Sequence, residues 1–194
     1  MRGLFIPLVV VALGVVAGCS TAPKTEAKRD NLRTDSDVAL DRFQSNDQTT
    51  RDFLNSSNGY AVFPHIGKGG AIAGGAYGHG ALYQNGQFVG YCDMTQASVG
   101  AQLGGQSYAE LIVFENAEAL NRFKSGNFAF SANASAVANK EGAARTAKYE
   151  NGVAVFVQPN AGLMGEAAIG GQKFNYVSAD NAPAPKGDYT AHTD

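Results

Sequence analysis

The chain lacks most of the residues on which enzymatic and nucleic-acid chemistry depends. Among its 194 residues are 2 cysteines, Cys19 and Cys92. With Cys19 read as the site of acylation, Cys92 is the one thiol left, which excludes an internal disulfide framework. A lone thiol of this kind reads as a small buried apolar residue. The 3 histidines, His65, His79 and His192, stand in no motif that sets a base beside a nucleophile. No metal site and no cofactor is expected. A basic surplus is missing too: 15 Lys and Arg face 17 Asp and Glu, a formal charge of −2. Nucleic acid, which demands a basic face, is therefore not an expected partner. The segment Gly67-Lys68-Gly69-Gly70 is no phosphate loop. It has no glycine at the required distance upstream, and Gly69 follows Lys68 where Ser or Thr should hold magnesium. No Gly-x-Gly-x-x-Gly occurs either.

What the chain has in excess is glycine. It holds 24, most of them between Gly59 and Gly171 and interleaved with apolar residues. Disordered glycine-rich segments lack that apolar content, so the pattern implies a folded, β-rich domain in which glycine allows bends and close approach. The N-terminus is equally distinctive. Arg2, an apolar run from Leu4 to Val16 too short to span as a helix, and the small residues Ala17-Gly18 before Cys19 make a secretory signal. Val16-Ala17-Gly18-Cys19 resembles the lipobox of bacterial lipoproteins. The alternative is an ordinary signal peptide cut beside a cysteine. The resemblance implies that the Cys19 thiol takes a diacylglycerol, that residues 1–18 are removed and that the new amino group is acylated, for example with palmitate. Ser20, in place of Asp, implies transfer to the outer membrane with the domain in the periplasm. Several acyl chains would hold the protein at a membrane, each buried methylene contributing about 0.8 kcal/mol.

Residues 19–36 are polar and charged, with no apolar stripe, and read as a flexible tether. One or two short helices follow: Ser36 can cap a turn carrying Val38, Leu40 and Phe43, and a second stretch carries Thr50, Phe53 and Leu54. From Tyr60 the period becomes that of strands. Tyr60 to Phe63 ends at Pro64. Gly70, Ile72, Gly74, Ala76, Gly78 and Gly80 would share one nearly bare face. Asn85-Gly86 and Asn151-Gly152 are hairpin turns. Tyr108 to Phe114 is a strand rich in β-formers. Asn116 caps a short helix over 117–124 that Gly126 terminates. Phe128 to Ala138 alternates as one face of an antiparallel sheet does. Strands over Gly162–Ile169 and Gln172–Val177 come last, and residues 178–194 read as a disordered tail. The fold class is α+β: a predominantly antiparallel sheet curled into a barrel or sandwich, with short helices at the N-terminus and around 117–124.

Several motifs, in order, resemble one family. They are Gly59-Tyr60-Ala61-Val62-Phe63-Pro64, Gly67-Lys68-Gly69-Gly70, Gly74-Gly75-Ala76-Tyr77-Gly78 and Ser98-Val99-Gly100-Ala101-Gln102. Phe123-Lys124-Ser125-Gly126-Asn127-Phe128, Asn151-Gly152-Val153-Ala154-Val155-Phe156 and Gly170-Gly171-Gln172-Lys173-Phe174 follow. Together they resemble the SYLF domain, also called the Ysc84 actin-binding-like domain, over residues 37–177. The resemblance implies a lipid-binding domain. Eukaryotic members bind phosphoinositides and some bind actin, through a basic surface and an N-terminal amphipathic segment. Here residues 35–57 are acidic and polar, which departs from that pattern.

Lys68, Lys124 and Lys173 all lie beside glycines in these motifs. Convergence would make them a cationic site for a lipid headgroup, helped by backbone amides; the alternative is three separate surface charges, or Lys173 paired with Glu166. The face carrying Gly70, Gly74 and Gly78 is either an acyl groove or a close-packing surface. Tyr77, Tyr83, Tyr91 and Tyr108 could form an interfacial rim or simply pack. Glu166 and Glu110 are the carboxylates that acid–base hydrolysis would require, and pairing explains Glu166 more simply. The expected function is a non-enzymatic, lipid-anchored periplasmic module that binds membrane lipid, anionic phospholipid above all. The alternative is an envelope structural or interaction module in which the domain docks a protein partner.

Overall fold

A computed structural model describes residues 21–69, 73–99, 106–126, 136–137, 148–161 and 171–186. The expected leader over 1–18, Cys19 and the expected strand over 162–169 lie outside the described residues, as do most of the alternating stretch 128–138, His192, Glu166 and Gly70.

Two helices precede the sheet. The first, α1, runs Glu26–Asn46, and the Thr25 side chain caps it by accepting from the Lys28 amide. Its buried residues are Arg29, Leu32, Ser36, Ala39 and Phe43, a stripe at three- and four-residue spacing. Two of the five are polar, which is why the segment reads as a tether from sequence. The flexible tether over 19–36 is thus corrected from residue 21 onward. Ser36 is not a cap either: it lies inside the helix and its hydroxyl donates back to the Leu32 carbonyl at 2.7 Å. The second helix, α2, covers Gln48–Asn55 behind an Asp47 cap.

The strands are β1 (Gly59–Gly69), β2 (Ala73–Gln84), β3 (Gln87–Val99), β4 (Gln106–Phe114), β5 (Ala136–Val137), β6 (Val153–Ala161) and β7 (Gln172–Ser178). Helix α3 (Ala117–Lys124) lies between β4 and β5, with Asn116 as its cap and Gly126 at φ 71° beyond its end. The sheet order is β5-β6-β4-β1-β2-β3-β7. All pairings are antiparallel except the short β5–β6 pair. Asn85-Gly86 and Asn151-Gly152 turn with φ 51°, 76° and 52°, 79°, as the hairpin geometry requires. Strand β1 does not stop at Pro64. It passes through a bulge between Val62 and His65 that accommodates the proline.

The sheet curls without closing. Phe174 of β7 packs against Phe63 of β1 and Phe123 of α3, with ring centroids 5.7 and 5.3 Å apart. An interior cluster joins these to Ile66, Met94, Ile112, Phe114, Val155 and Val157. On the outer face α1 and α2 cover Val62, Ala81, Leu111, Val113 and Phe156 with Ala39, Phe43 and Phe53. Among the described residues no ladder joins β7 to β5.

The C-terminal segment is a second correction to the expectation of disorder. Residues 178–186 run back along the N-terminal segment: the Lys186 amide donates to the Lys24 carbonyl at 2.7 Å, and Thr25 bridges Lys186 in parallel. The buried Arg29 guanidinium donates to the carbonyls of Pro23 and Pro183 and lies 5.3 Å from the Tyr91 ring centroid. A small apolar cluster of Ala22, Leu32 and Tyr91, with Ala182 and Val177, fills the space beneath.

Glycine tests the curl directly. A Cβ on Gly80 would lie 2.7 Å from both the Phe63 ring and the Val62 carbonyl, whereas one on Gly67 would meet nothing within 4 Å. Gly80→Ala is therefore expected to destabilise by about 1–3 kcal/mol through overpacking. Gly67→Ala should be neutral or slightly stabilising. Urea unfolding of the two variants beside the parent checks both.

Candidate functional site

The three lysines do not converge. Lys68 pairs with Ala76 on β2, whereas the Lys124 ammonium donates to Gln84 at 2.7 Å. Those β2 residues are eight apart, about 26 Å along a strand. Lys124 also sits 5.9 Å from the Tyr176 ring centroid. Lys173 is exposed on β7, opposite Thr95 and three strands from β1. They are separate charges. Gly78 serves close packing, since its Cβ position lies 2.8 Å from Ile66. Gly74 is paired with Ser98. Of the four tyrosines only Tyr77 is exposed: Tyr83, Tyr91 and Tyr108 are buried, so no aromatic rim forms. Cys92 is buried, and burial pushes its thiol well up, as an inert apolar residue requires.

A groove of about 540 Å³ opens elsewhere, between the first half of α1 and the middle of β1 and β2. Its apolar lining comes from Ala22, Pro23, Leu32 and Pro64; Lys24 and Lys28 stand at its rim. The floor follows from sheet register. His65 pairs with His79, His79 with Asp93 and Asp93 with Asn175, so one polar row crosses four strands on the outer face, beside the first turns of α1. The row is internally bonded. His79 Nε2 lies 2.9 Å from the Tyr77 hydroxyl, and Asn175 donates to Asp93 at 2.7 Å. His65 Nε2 lies 3.5 Å from the Asp35 carboxylate, while Asn160 donates to the Pro64 carbonyl at 2.7 Å and reaches His65 Nδ1 at 3.2 Å. Burial lowers the His79 pKa, outweighing Asp93 and the Thr21 backbone, which raise it, so its neutral form is favoured. Among the described residues no group of three His, Cys, Asp or Glu could hold a metal ion. No helix among them is long and apolar enough to cross a membrane. Nothing in the spacing of His65 and His79 announces this row, because their adjacency depends on the β1 bulge shifting register by one residue.

Inside the curl lies a second unforeseen group. Glu110 of β4 is fully buried, although its strand pattern alone left a wet face equally open. Its Oε2 accepts from Gln172 Nε2 at 2.8 Å; its Oε1 and Gln172 Oε1 have no partner among the described residues. Burial raises the carboxyl to about 7, against a smaller lowering by Gln172. A proton on Oε1 would let the acid and the amide pair reciprocally. Glu110 is thus an acid within an apolar core whose neutral form burial favours, held by β7 across the curl.

With this geometry in place, the comparisons fall into line. The model of the Ysc84 family, described as Las17-binding protein actin regulator, matches residues 95–184. Over those residues the chain is similar to the Ysc84, or SYLF-domain, family. It is similar to Beta cell expansion factor A of Aeromonas veronii, 29% identical over 161 residues. That similarity covers 78% of this chain, which spans 59% of the relative's length. The family match takes in the end of β3, β4, α3, β6, β7 and the returning C-terminal segment.

Because folded Glu110 keeps its proton to about pH 7 and the unfolded chain releases it near 4.5, stability falls as pH rises through that window. The loss reaches roughly 3 kcal/mol. Glu110→Gln should keep the fold and remove this decline. Denaturation midpoints at pH 5 and pH 8 are expected to differ less in Glu110→Gln than in the parent; an equal decline in both would rule out a neutral Glu110.

Proposed function

We propose that this chain is a non-enzymatic, lipid-engaging module held at the outer membrane through acylated Cys19, with its domain in the periplasm. The observation that carries this reading is the absence of slack between anchor and domain. Thr21 already faces His79, and Ala22 is buried at 1% exposure. Two residues span at most about 7 Å, so acyl chains on Cys19 would seat the folded body directly on the bilayer surface. The charge of −2 argues for local contacts with lipid rather than a broad cationic face. The similarity of residues 95–184 to the Ysc84 family supports the same reading, and Cys92 is too deeply buried for nucleophilic work.

Metabolic palmitate labelling is expected to mark the parent protein and to vanish in Cys19→Ser. Flotation of residues 21–194, which carry neither leader nor anchor, separates lipid engagement by the domain from the anchor. Binding to phosphatidylglycerol-containing vesicles that exceeds binding to phosphatidylcholine, and that fades with salt, is the expected result. Absent flotation with both compositions would leave Cys19 as the sole membrane contact and make a protein-docking role the better reading, whereas equal flotation with both would overturn the preference for anionic lipid.

A further inference from the structure

The groove beside the N-terminal segment combines three properties seldom found together on an acidic protein. Its lining is mostly apolar, from Ala22, Pro23, Leu32 and Pro64. Its rim carries two exposed cations, Lys24 and Lys28. Its floor presents the Tyr77 hydroxyl and the His79 ring as hydrogen-bonding groups. The one carboxylate in the lining, Asp35, is turned to His65 at 3.5 Å. A ligand suited to this surface has an anionic, hydrogen-bonding head joined to an apolar body. A free phosphate would leave the apolar walls unused; a plain acyl chain would leave the lysines unused.

Position narrows the choice. Lys24 is held from both sides, by the Lys186 amide on its carbonyl and by the Arg29 anchorage to Pro23 and Pro183. The groove rim therefore cannot swing away from the chain leading to Cys19. We infer that this groove is a binding site for the headgroup and glycerol region of an anionic phospholipid drawn from the same leaflet that holds the Cys19 anchor. Lys24 and Lys28 contact the phosphate, Tyr77 and His79 hydrogen-bond beside it, and Leu32 and Pro64 meet the first acyl methylenes. This site rests on the lipid-engaging reading above and assigns it residues that no sequence motif marked. It also replaces the three dispersed lysines with two that the fold places together. Short-range capture from the adjacent leaflet needs little intrinsic affinity, because the anchor makes the encounter intramolecular.

The test uses the full acylated chain reconstituted in vesicles of phosphatidylcholine, with or without phosphatidylglycerol. Backbone hydrogen exchange is read at residues 21–32 and 73–80. Phosphatidylglycerol is expected to slow exchange there severalfold, and Lys24→Ala with Lys28→Ala to abolish the slowing. Exchange in β4, buried in the core, should be unchanged in that variant, which confirms its fold. Slowing that survives in the double variant, or that phosphatidylglycerol does not produce, overturns the site. Inorganic phosphate alone producing the same slowing overturns the lipid as ligand. If residues 21–194 float with anionic vesicles while the groove stays unprotected, lipid engagement stands and this location falls. If they float with neither, both fall.

Discussion

Everything in this molecule depends on the approach of Phe63 and Ile66 to the backbone of β2. Gly78 and Gly80 leave no Cβ where those side chains lie, at 2.8 Å and 2.7 Å. The sheet can then bend tightly enough to bring Phe174 of β7 against Phe63 and Phe123. Interiors pack at near-crystalline density, so side chains in place of those glycines would push the two halves of the curl apart. The aromatic interior, the helices laid on the outer face and the openness of one end all follow from that contact.

The curl also determines where polar groups end up. Glu110 and Gln172 are far apart in sequence, yet the bend sets them 2.8 Å apart inside the core. A carboxyl so buried is kept neutral more cheaply than it is kept charged. On the outer face the same register aligns His65, His79, Asp93 and Asn175 across four strands. Helix α1 covers only part of that face, and the residues beyond its N-terminus become a groove.

The termini complete the groove. Residues 21–25 and 182–186 clasp each other through Thr25, Lys186, Arg29 and Pro183. An arginine almost out of contact with water needs its donors matched, and the two carbonyls and the Tyr91 face supply that. The clasp turns a stretch that looks like solvated spacer into part of the body, which removes the slack an anchored domain would otherwise have.

Local features were legible in the residues themselves: the Asn116 cap, the helix over 117–124, both Asn-Gly turns, the antiparallel class, the buried Cys92 and the family motifs. Each rests on interactions within a few residues, such as a cap, a positive φ or an alternating face. Helix α1 was missed because its buried stripe runs through Arg29 and Ser36, whose partners, Pro183 among them, lie outside any local window. The dispersal of Lys68, Lys124 and Lys173, the pairing of Glu110 with Gln172 and the His65–His79 row were settled only by tertiary structure. Strand order, a one-residue bulge and the degree of curl decide which side chains meet, and each is a long-range packing outcome that one-dimensional periodicity does not encode.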